Sequence, residues 1–553
     1  MNADGMNYLD MGDAFMRGDW AVAINGTWSP LYGFILGLTM ELTKPSIEWE
    51  FPTVHAVNFV IFIVALVAFE FFWRQATDAY YHHDAEDRDG RLERLPGWAW
   101  LSVGYGLFVW SSLALIEIYS VTPDMIVAAC VLAAGGLLLR IGAHAVTWKT
   151  FALLGAVLGV GYLAKAVMFP LAFVFLAAAV LAQRTLLRGT IRVLPAVATF
   201  LLVSGPLLIA LSMANGRFTF SEVGQLTYLK HVHEVPFPHW KPGVVDVAGA
   251  PEHGVRTIGE NPTIYEFATP VGGTYPLSYD PYYWYEGLVP SVAIVKQSKA
   301  LAVNLRFYFD LFLRTQGLFF GVALVLLVVA LLDRPAGLPF HGWPLLLVAS
   351  AAFGTYALVH VWYRYVAPFV VLLWAGLLLS VRLKALPAQR RWLTVSGGVL
   401  VLAVVVNIAA FHLEGLNALV RFVPSTGQLV GGGGGSAGSR TASAPPPTVA
   451  RGLVDMGLQQ GDHVGFIGYS FDAYWARLAR LKIVAEIVPG EADAFWDADR
   501  DRQADVLRSF ATLGVRALVA QRLPRDGRIP TGWRRVEGTG YLAYLFPPGS
   551  AGG

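Results

Sequence analysis

Four carboxylates, Asp4, Asp10, Asp13 and Asp19, stand within the first nineteen residues. A carboxylate held beside an apolar body can take a proton from a hydroxyl, provided its pKa and position suit the task. Asp4 is followed four residues on by Tyr8, and then by Gly-Thr-Trp-Ser-Pro-Leu-Tyr over 26–32. Asp10 is read with them as a residue facing a sugar or acceptor, whereas Asp13 and Asp19 are read as solvated loop acids. Two lone cations lie between apolar runs: Lys165 in GYLAKAVMFP (161–170) and Arg364 in WYRYVAPF (362–369). Either can snorkel from a helix end, but an intramembrane cation is also a candidate for pairing with a ligand anion. The planar fork of arginine suits a phosphate. A fourth segment, 265–287, is dense in Tyr and Trp and carries Tyr279, Asp280, Trp284 and Glu286. Aromatic faces stack on sugar C–H groups and carboxylates accept from hydroxyls, although the same composition would serve as an interfacial belt. Asp124, in Thr-Pro-Asp, either caps a helix or lines a cavity.

Other residues carry less. His231, His233 and His239 are a poor metal set, with only Glu234 among them and no cysteine in support. No divalent metal is therefore assigned. His82 and His83 sit in a charged loop and read as solvated. The single cysteine, Cys130, lies inside an apolar run and can form no internal disulfide. Gly465 and Gly468 lack the spacing of a dinucleotide fingerprint. A net charge of +2 leaves no nucleic-acid footprint.

The elements that must position these residues are membrane spans. The chain of 553 residues is 55% hydrophobic and only 14% charged, well below the usual quarter of a soluble domain. Its mean hydropathy is +0.51. About ten apolar runs of bilayer-crossing length fall near 54–73, 97–118, 122–139, 150–164, 167–183, 193–213, 316–332, 342–360, 365–382 and 392–411. Ser29–Leu42 is shorter and reads as a helix lying at the interface. Alternate connections gather basic residues, such as Arg184, Arg188 and Arg192, or Arg382, Lys384, Arg390 and Arg391, while the opposite short turns hold only Lys165 and Arg364. The positive-inside rule then places three large segments outside.

The expected organisation is an outer N-terminal loop with a juxtamembrane helix (1–53), a bundle in two parts (54–213 and 316–411) and a large outer loop (214–315) between them. A low-complexity linker (412–448) and a soluble α/β domain (449–553) complete it. In that last domain HVGFIG, KIVAEIV and GVRALVAQ read as strands, and AYWARLARL and DVLRSFATL as helices. The N-terminal segment falls outside with no span before it, so a first helix is expected upstream of Met1.

The first loop, Asp4 with Tyr8 and then Trp-Ser-Pro-Leu-Tyr, resembles that of the GT-C membrane glycosyltransferases, which include protein O-mannosyltransferases and lipid A aminoarabinose transferases. Lys165 and the Arg-Tyr-x-x-Pro of 364–368 are similar to family features in the same order, and the resemblance covers about residues 1–411. It implies an all-α polytopic bundle and a polyprenyl-phosphate-sugar donor, with an extracytoplasmic glycan, lipid or protein as acceptor. It also implies a base at Asp4, donor phosphate near Lys165 and Arg364, and residence in a bacterial inner membrane with the active face outside. Many members carry a second acid directly after the first, where this chain has Gly5, so a pair of adjacent carboxylates is not implied. No nucleotide donor is implied either. A transporter or flippase of lipid-linked sugars would need similar spans, but would be expected to show internal repeats and mid-bilayer charges.

Overall fold

The structure is a computed structural model describing residues 1–81, 92–143, 146–183, 185–236, 247–253, 256–267, 273–274, 281–333, 340–422, 444–525 and 527–547, with side chains to 411 in the last bundle helix. It divides into two compact units. One comprises Met1–Val57, His233–Ser291 and Ser425–Gly553, the other Asn58–Val232 and Val292–Pro424.

The second unit is the helical bundle, and each of the ten apolar runs coincides with a helix. Among the described residues five helices are long and apolar enough to cross a membrane: Glu50–Tyr81, Gly97–Ile116, Asp124–Ala143, Leu186–Ala214 and Pro387–Phe411. Four more are apolar but shorter: Trp148–Ala164, Met168–Leu181, Trp343–Val359 and Tyr363–Leu378. The remaining run, Gly317–Leu332, follows Ile294–Arg314 at a bend of 82°, so that the pair makes a sixth candidate. The expected outer loop thus ends in a helix that the sequence pattern did not reveal. Tight crossings need small residues: Gly155 lies so close to Ala196 that an added Cβ would meet its carbonyl oxygen at 1.9 Å.

The first unit gathers three distant segments. Its N-terminal stretch, expected to be a loop, is largely helical. Asn2 caps Ala3–Arg17 by accepting from the Gly5 N–H at 2.9 Å, and Gly18 ends the helix in the left-handed region at φ 72°. This helix packs on Pro30–Thr43, the expected interfacial helix. A Cβ at Gly37 would stand 2.4 Å from the Gly12 carbonyl oxygen, so the two backbones meet only because both positions are glycine.

The C-terminal segment forms the α/β core. Strand His463–Ile467 pairs in parallel with Lys482–Ile487 on one side and Ala517–Ala520 on the other, joined by the short helix Tyr474–Leu478 and the helix Arg500–Thr512. Leu542–Leu545 and Trp533–Arg535 extend one edge antiparallel. The other edge is completed from the outer loop, where Ile264–Glu266 pairs antiparallel with Lys482–Ile487 and Arg256–Ile258 follows. Ile264 joins Ile467, Phe495, Phe510 and Leu518 in the core. The sheet of residues 449–547 is therefore not made by that segment alone. The glycine-rich stretch of the linker lies outside the described residues.

Candidate functional site

Three helix ends meet in the bundle. Asp124 opens Asp124–Ala143 and is 3% exposed in its side chain, where the amide dipoles of a helix N-terminus favour a carboxylate. Lys165 follows Trp148–Ala164 in extended backbone (φ −157°, ψ 128°), at the break before Met168–Leu181. Arg364 sits in the first turn of Tyr363–Leu378. Lys165 Nζ lies 2.5 Å from Asp124 Oδ1, and Arg364 Nε lies 3.4 Å from Oδ2, an ion pair rather than a well-formed hydrogen bond. Lys165 also stands 3.7 Å from the centroid of the Tyr365 ring. Two cations thus meet on one carboxylate. At 23% and 18% side-chain exposure, Lys165 and Arg364 are partly open to a ligand.

Tyr356 and His360, which neighbour this cluster, were not singled out from sequence. Tyr356 stacks on Tyr365 at 5.6 Å and ends in a buried hydroxyl without a hydrogen-bond partner among the described residues. An orphan of this kind is rare in a folded interior. His231 stacks face to face on His360, centroids 3.8 Å apart and planes 7° apart. Burial, then His360 and Lys230, push the His231 imidazole down to about 3, so it is neutral at physiological pH.

In the first unit Asp4 occupies the first turn of Ala3–Arg17 and is half-buried. Tyr8, one turn on, is 4% exposed and wedged edge-on between Trp28 at 5.2 Å and Tyr32 at 5.1 Å. The Trp-Ser-Pro-Leu-Tyr segment thus packs on the aromatic that follows the acid.

Asp10 has a different place from the one expected. It is buried and accepts from Arg477 Nη1 at 2.6 Å, from the Thr274 N–H at 2.7 Å and from Thr274 Oγ1 at 3.1 Å. These bonds occupy the carboxylate that a sugar would need. Asp13, read as solvated, receives Arg477 at 2.5 Å and Arg480 at 2.7 Å. Arg477, 2% exposed, also lies 3.5 Å from Glu50, to which Arg480 at 3.1 Å and the Tyr474 hydroxyl at 3.1 Å are bonded. Burial pushes the Asp10 carboxyl up, against the pull of Arg477 and the Thr274 amide. Burial also opposes charge on Asp13, but Arg477 and Arg480 outweigh it and hold that carboxyl below the usual range.

Tyr279 and Asp280 lie outside the described residues. Trp284 is 1% exposed and meets Tyr283 edge-on at 5.2 Å, so its face is not open to a sugar. Glu286 is bonded to His253 Nε2 at 3.0 Å, and the His253 ring stacks on Tyr283 at 3.9 Å. Glu252, His253 and Glu286 place one ligand atom each within 4.8 Å of one another, a carboxylate and imidazole set that could hold a first-row divalent ion. Of the three histidines weighed for a metal, His231 stacks as described, His233 bonds the Ser291 carbonyl at 2.9 Å, and His239 lies outside the described residues.

No protein-family model matches the sequence, and no curated protein matches it at the sequence level. Solved structures do match. The chain is similar over its whole length to crystal structures of ArnT from Cupriavidus metallidurans. The apo form has a TM-score of 0.48, at 12% identity and 94% of that chain. The form bound to undecaprenyl phosphate reaches 0.52, at 14% identity and 95% of that chain. At such identity the likeness speaks for architecture, and on that level it agrees with the GT-C resemblance of residues 1–411: the fold is ArnT-like.

Proposed function

We propose that the protein is a membrane glycosyltransferase that moves a sugar from a polyprenyl-phosphate donor to an extracytoplasmic acceptor. The observation that carries this reading is the meeting of Lys165 and Arg364, from separate helix ends, on the single carboxylate of Asp124. Two cations gathered at helix ends of an apolar bundle suit a ligand that joins a phosphate to a long apolar tail. The crystal structure of ArnT with undecaprenyl phosphate bound, a protein of the same architecture, is in keeping with it. The Tyr356 hydroxyl beside Tyr365, without a hydrogen-bond partner among the described residues, offers a further donor to a phosphate oxygen.

In the proposed reaction the acceptor hydroxyl oxygen attacks the anomeric carbon. The bond from that carbon to the phosphate oxygen breaks, its electron pair stays on the phosphate, and the hydroxyl proton passes to Asp4. Lys165 and Arg364 stabilise the charge that grows on the departing phosphate. Asp124 keeps the two cations from repelling one another when no phosphate is bound.

The test is to incubate the purified protein with a small panel of radiolabelled polyprenyl-phosphate sugars and membrane extract. Transfer of label to a new product is expected from at least one donor. If no donor is consumed, but a labelled lipid crosses the membrane of proteoliposomes, the protein is a flippase and this reading fails.

A further inference from the structure

We propose that the large loop between the two parts of the bundle carries a site for a first-row divalent metal ion, typified by Zn²⁺, with Glu252, His253 and Glu286 as its ligands. Each of the three offers one ligand atom, and these atoms lie within 4.8 Å of one another. All three side chains are open to solvent in part, His253 at 35% and Glu286 at 44%, while Glu252 is exposed, so an ion can reach them.

The backbone, not chance proximity of mobile side chains, brings these residues together from two stretches of the loop. Ala248–Gly249 pairs antiparallel with Leu288–Val289, and beyond the last pair the Glu252 N–H donates to the Glu286 carbonyl at 2.8 Å. Gly287 permits the approach: a Cβ there would stand 2.2 Å from the Ala250 carbonyl oxygen and 3.0 Å from Glu252 Cγ. The His253 imidazole lies flat on the Tyr283 ring, with centroids 3.9 Å and planes 7° apart. Tyr283 in turn meets the buried Trp284 edge-on at 5.2 Å. The imidazole is thereby set with Nε2 3.0 Å from Glu286 Oε2.

Bonds from Zn²⁺ to nitrogen or carboxylate oxygen run about 2.0–2.2 Å, so neighbouring ligands of a tetrahedral ion stand about 3.3–3.6 Å apart. His253 and Glu286 are already near that spacing, and the exposed Glu252 side chain is free to swing in and close the rest. The hydrogen bond between His253 and Glu286 serves one carboxylate, whereas a dication serves both. An imidazole nitrogen beside two carboxylate oxygens suits a first-row transition ion, while Mg²⁺ and Ca²⁺ favour oxygen alone. An ion held here bridges residues 252–253 to 286 and closes the loop between them. That loop supplies Ile264–Glu266 to the edge of the C-terminal sheet. The role is a clamp on the outer loop, independent of the sugar transfer proposed above.

The test is isothermal titration of the full-length protein with Zn²⁺, after treatment with a chelator and removal of any affinity tag. A single tight equivalent is expected, and Mg²⁺ or Ca²⁺ in roughly hundredfold excess should not displace it. Glu252→Gln and His253→Gln should each weaken it by more than the about tenfold that loss of an outer-shell partner costs. His55→Gln, a histidine outside the cluster, should change nothing. Hydrogen–deuterium exchange of peptides covering 247–253 and 286–289 should slow when Zn²⁺ is added, and should not in Glu252→Gln. Unaltered exchange elsewhere in Glu252→Gln separates loss of a ligand from loss of the fold. Absence of a tight equivalent overturns the proposal. So does binding that is indifferent to Glu252→Gln or to His253→Gln, which would place the ion elsewhere, and so does displacement by Mg²⁺ or Ca²⁺.

Discussion

Arg477 is the residue whose loss should most disturb the helix that carries Asp4. Its guanidinium is 2% exposed and faces three carboxylates, Asp10, Asp13 and Glu50, at 2.6, 2.5 and 3.5 Å. Arg477→Met keeps the length and apolar volume of the stem but withdraws the charge. Glu50 retains Arg480 and Tyr474, and Asp13 retains Arg480. Asp10 keeps its bonds from Thr274 but loses the guanidinium of Arg477 that faces it in its buried site. Removing one partner of a buried pair costs about 3–5 kcal/mol. At about 1.4 kcal/mol per factor of ten, the opening of helix Ala3–Arg17 should become roughly 140- to 3,700-fold more frequent. Hydrogen–deuterium exchange of the corresponding N-terminal peptide, read by mass spectrometry, measures this directly. Adding Asp10→Asn to Arg477→Met removes the buried negative charge that Arg477 faced and should recover part of the protection. The same relief should come on acidification of Arg477→Met alone. A carboxyl whose folded pKa lies above its unfolded value stabilises below that unfolded value and loses the contribution as pH rises. Exchange within twofold of the unaltered protein would show that the ion-pair cluster does not hold this helix.

Three further outcomes are expected. Lys165→Ala and Arg364→Ala should both weaken binding of a polyprenyl phosphate and slow transfer, because the phosphate is charged in ground and transition states alike; unchanged binding by isothermal titration sinks the assignment. Asp4→Asn should lower turnover about 10²–10⁴-fold with donor affinity little altered, and near-normal transfer would remove Asp4 as the base. His231, with its pKa lowered from 6.5 to about 3, contributes stability that is complete above pH 6.5 and is lost as pH falls through the folded value. Nitrogen-15 NMR of histidine-labelled protein should therefore find His231 neutral at pH 5.5, and a midpoint near 6.5 would contradict the buried stack.

Positions of the bundle helices were legible in the chain because the bilayer imposes a length and a composition on each span. Lys165 and Arg364 stood out for the same reason, as cations against the trend of the loops. Tyr8 and Trp28 could be linked because they are near in sequence, and the strands of 463–520 because buried parallel strands read as apolar runs. Helix Ala3–Arg17 was not read, since three acids and three glycines by position 18 look like a loop until the Asn2 cap and the packing of Gly12 on Gly37 are seen. Nor did the pattern show that Asp124 would join the two cations, that Trp284 would turn inward, or that Ile264–Glu266 would complete the C-terminal sheet. Asp10 and Arg477 are 467 positions apart. Local composition records how each segment partitions between water and lipid and what period it follows. It carries no record of which distant acid will meet which distant base, because that choice is made only when closing the chain buries both charges and pairing becomes the sole way to offset the lost hydration.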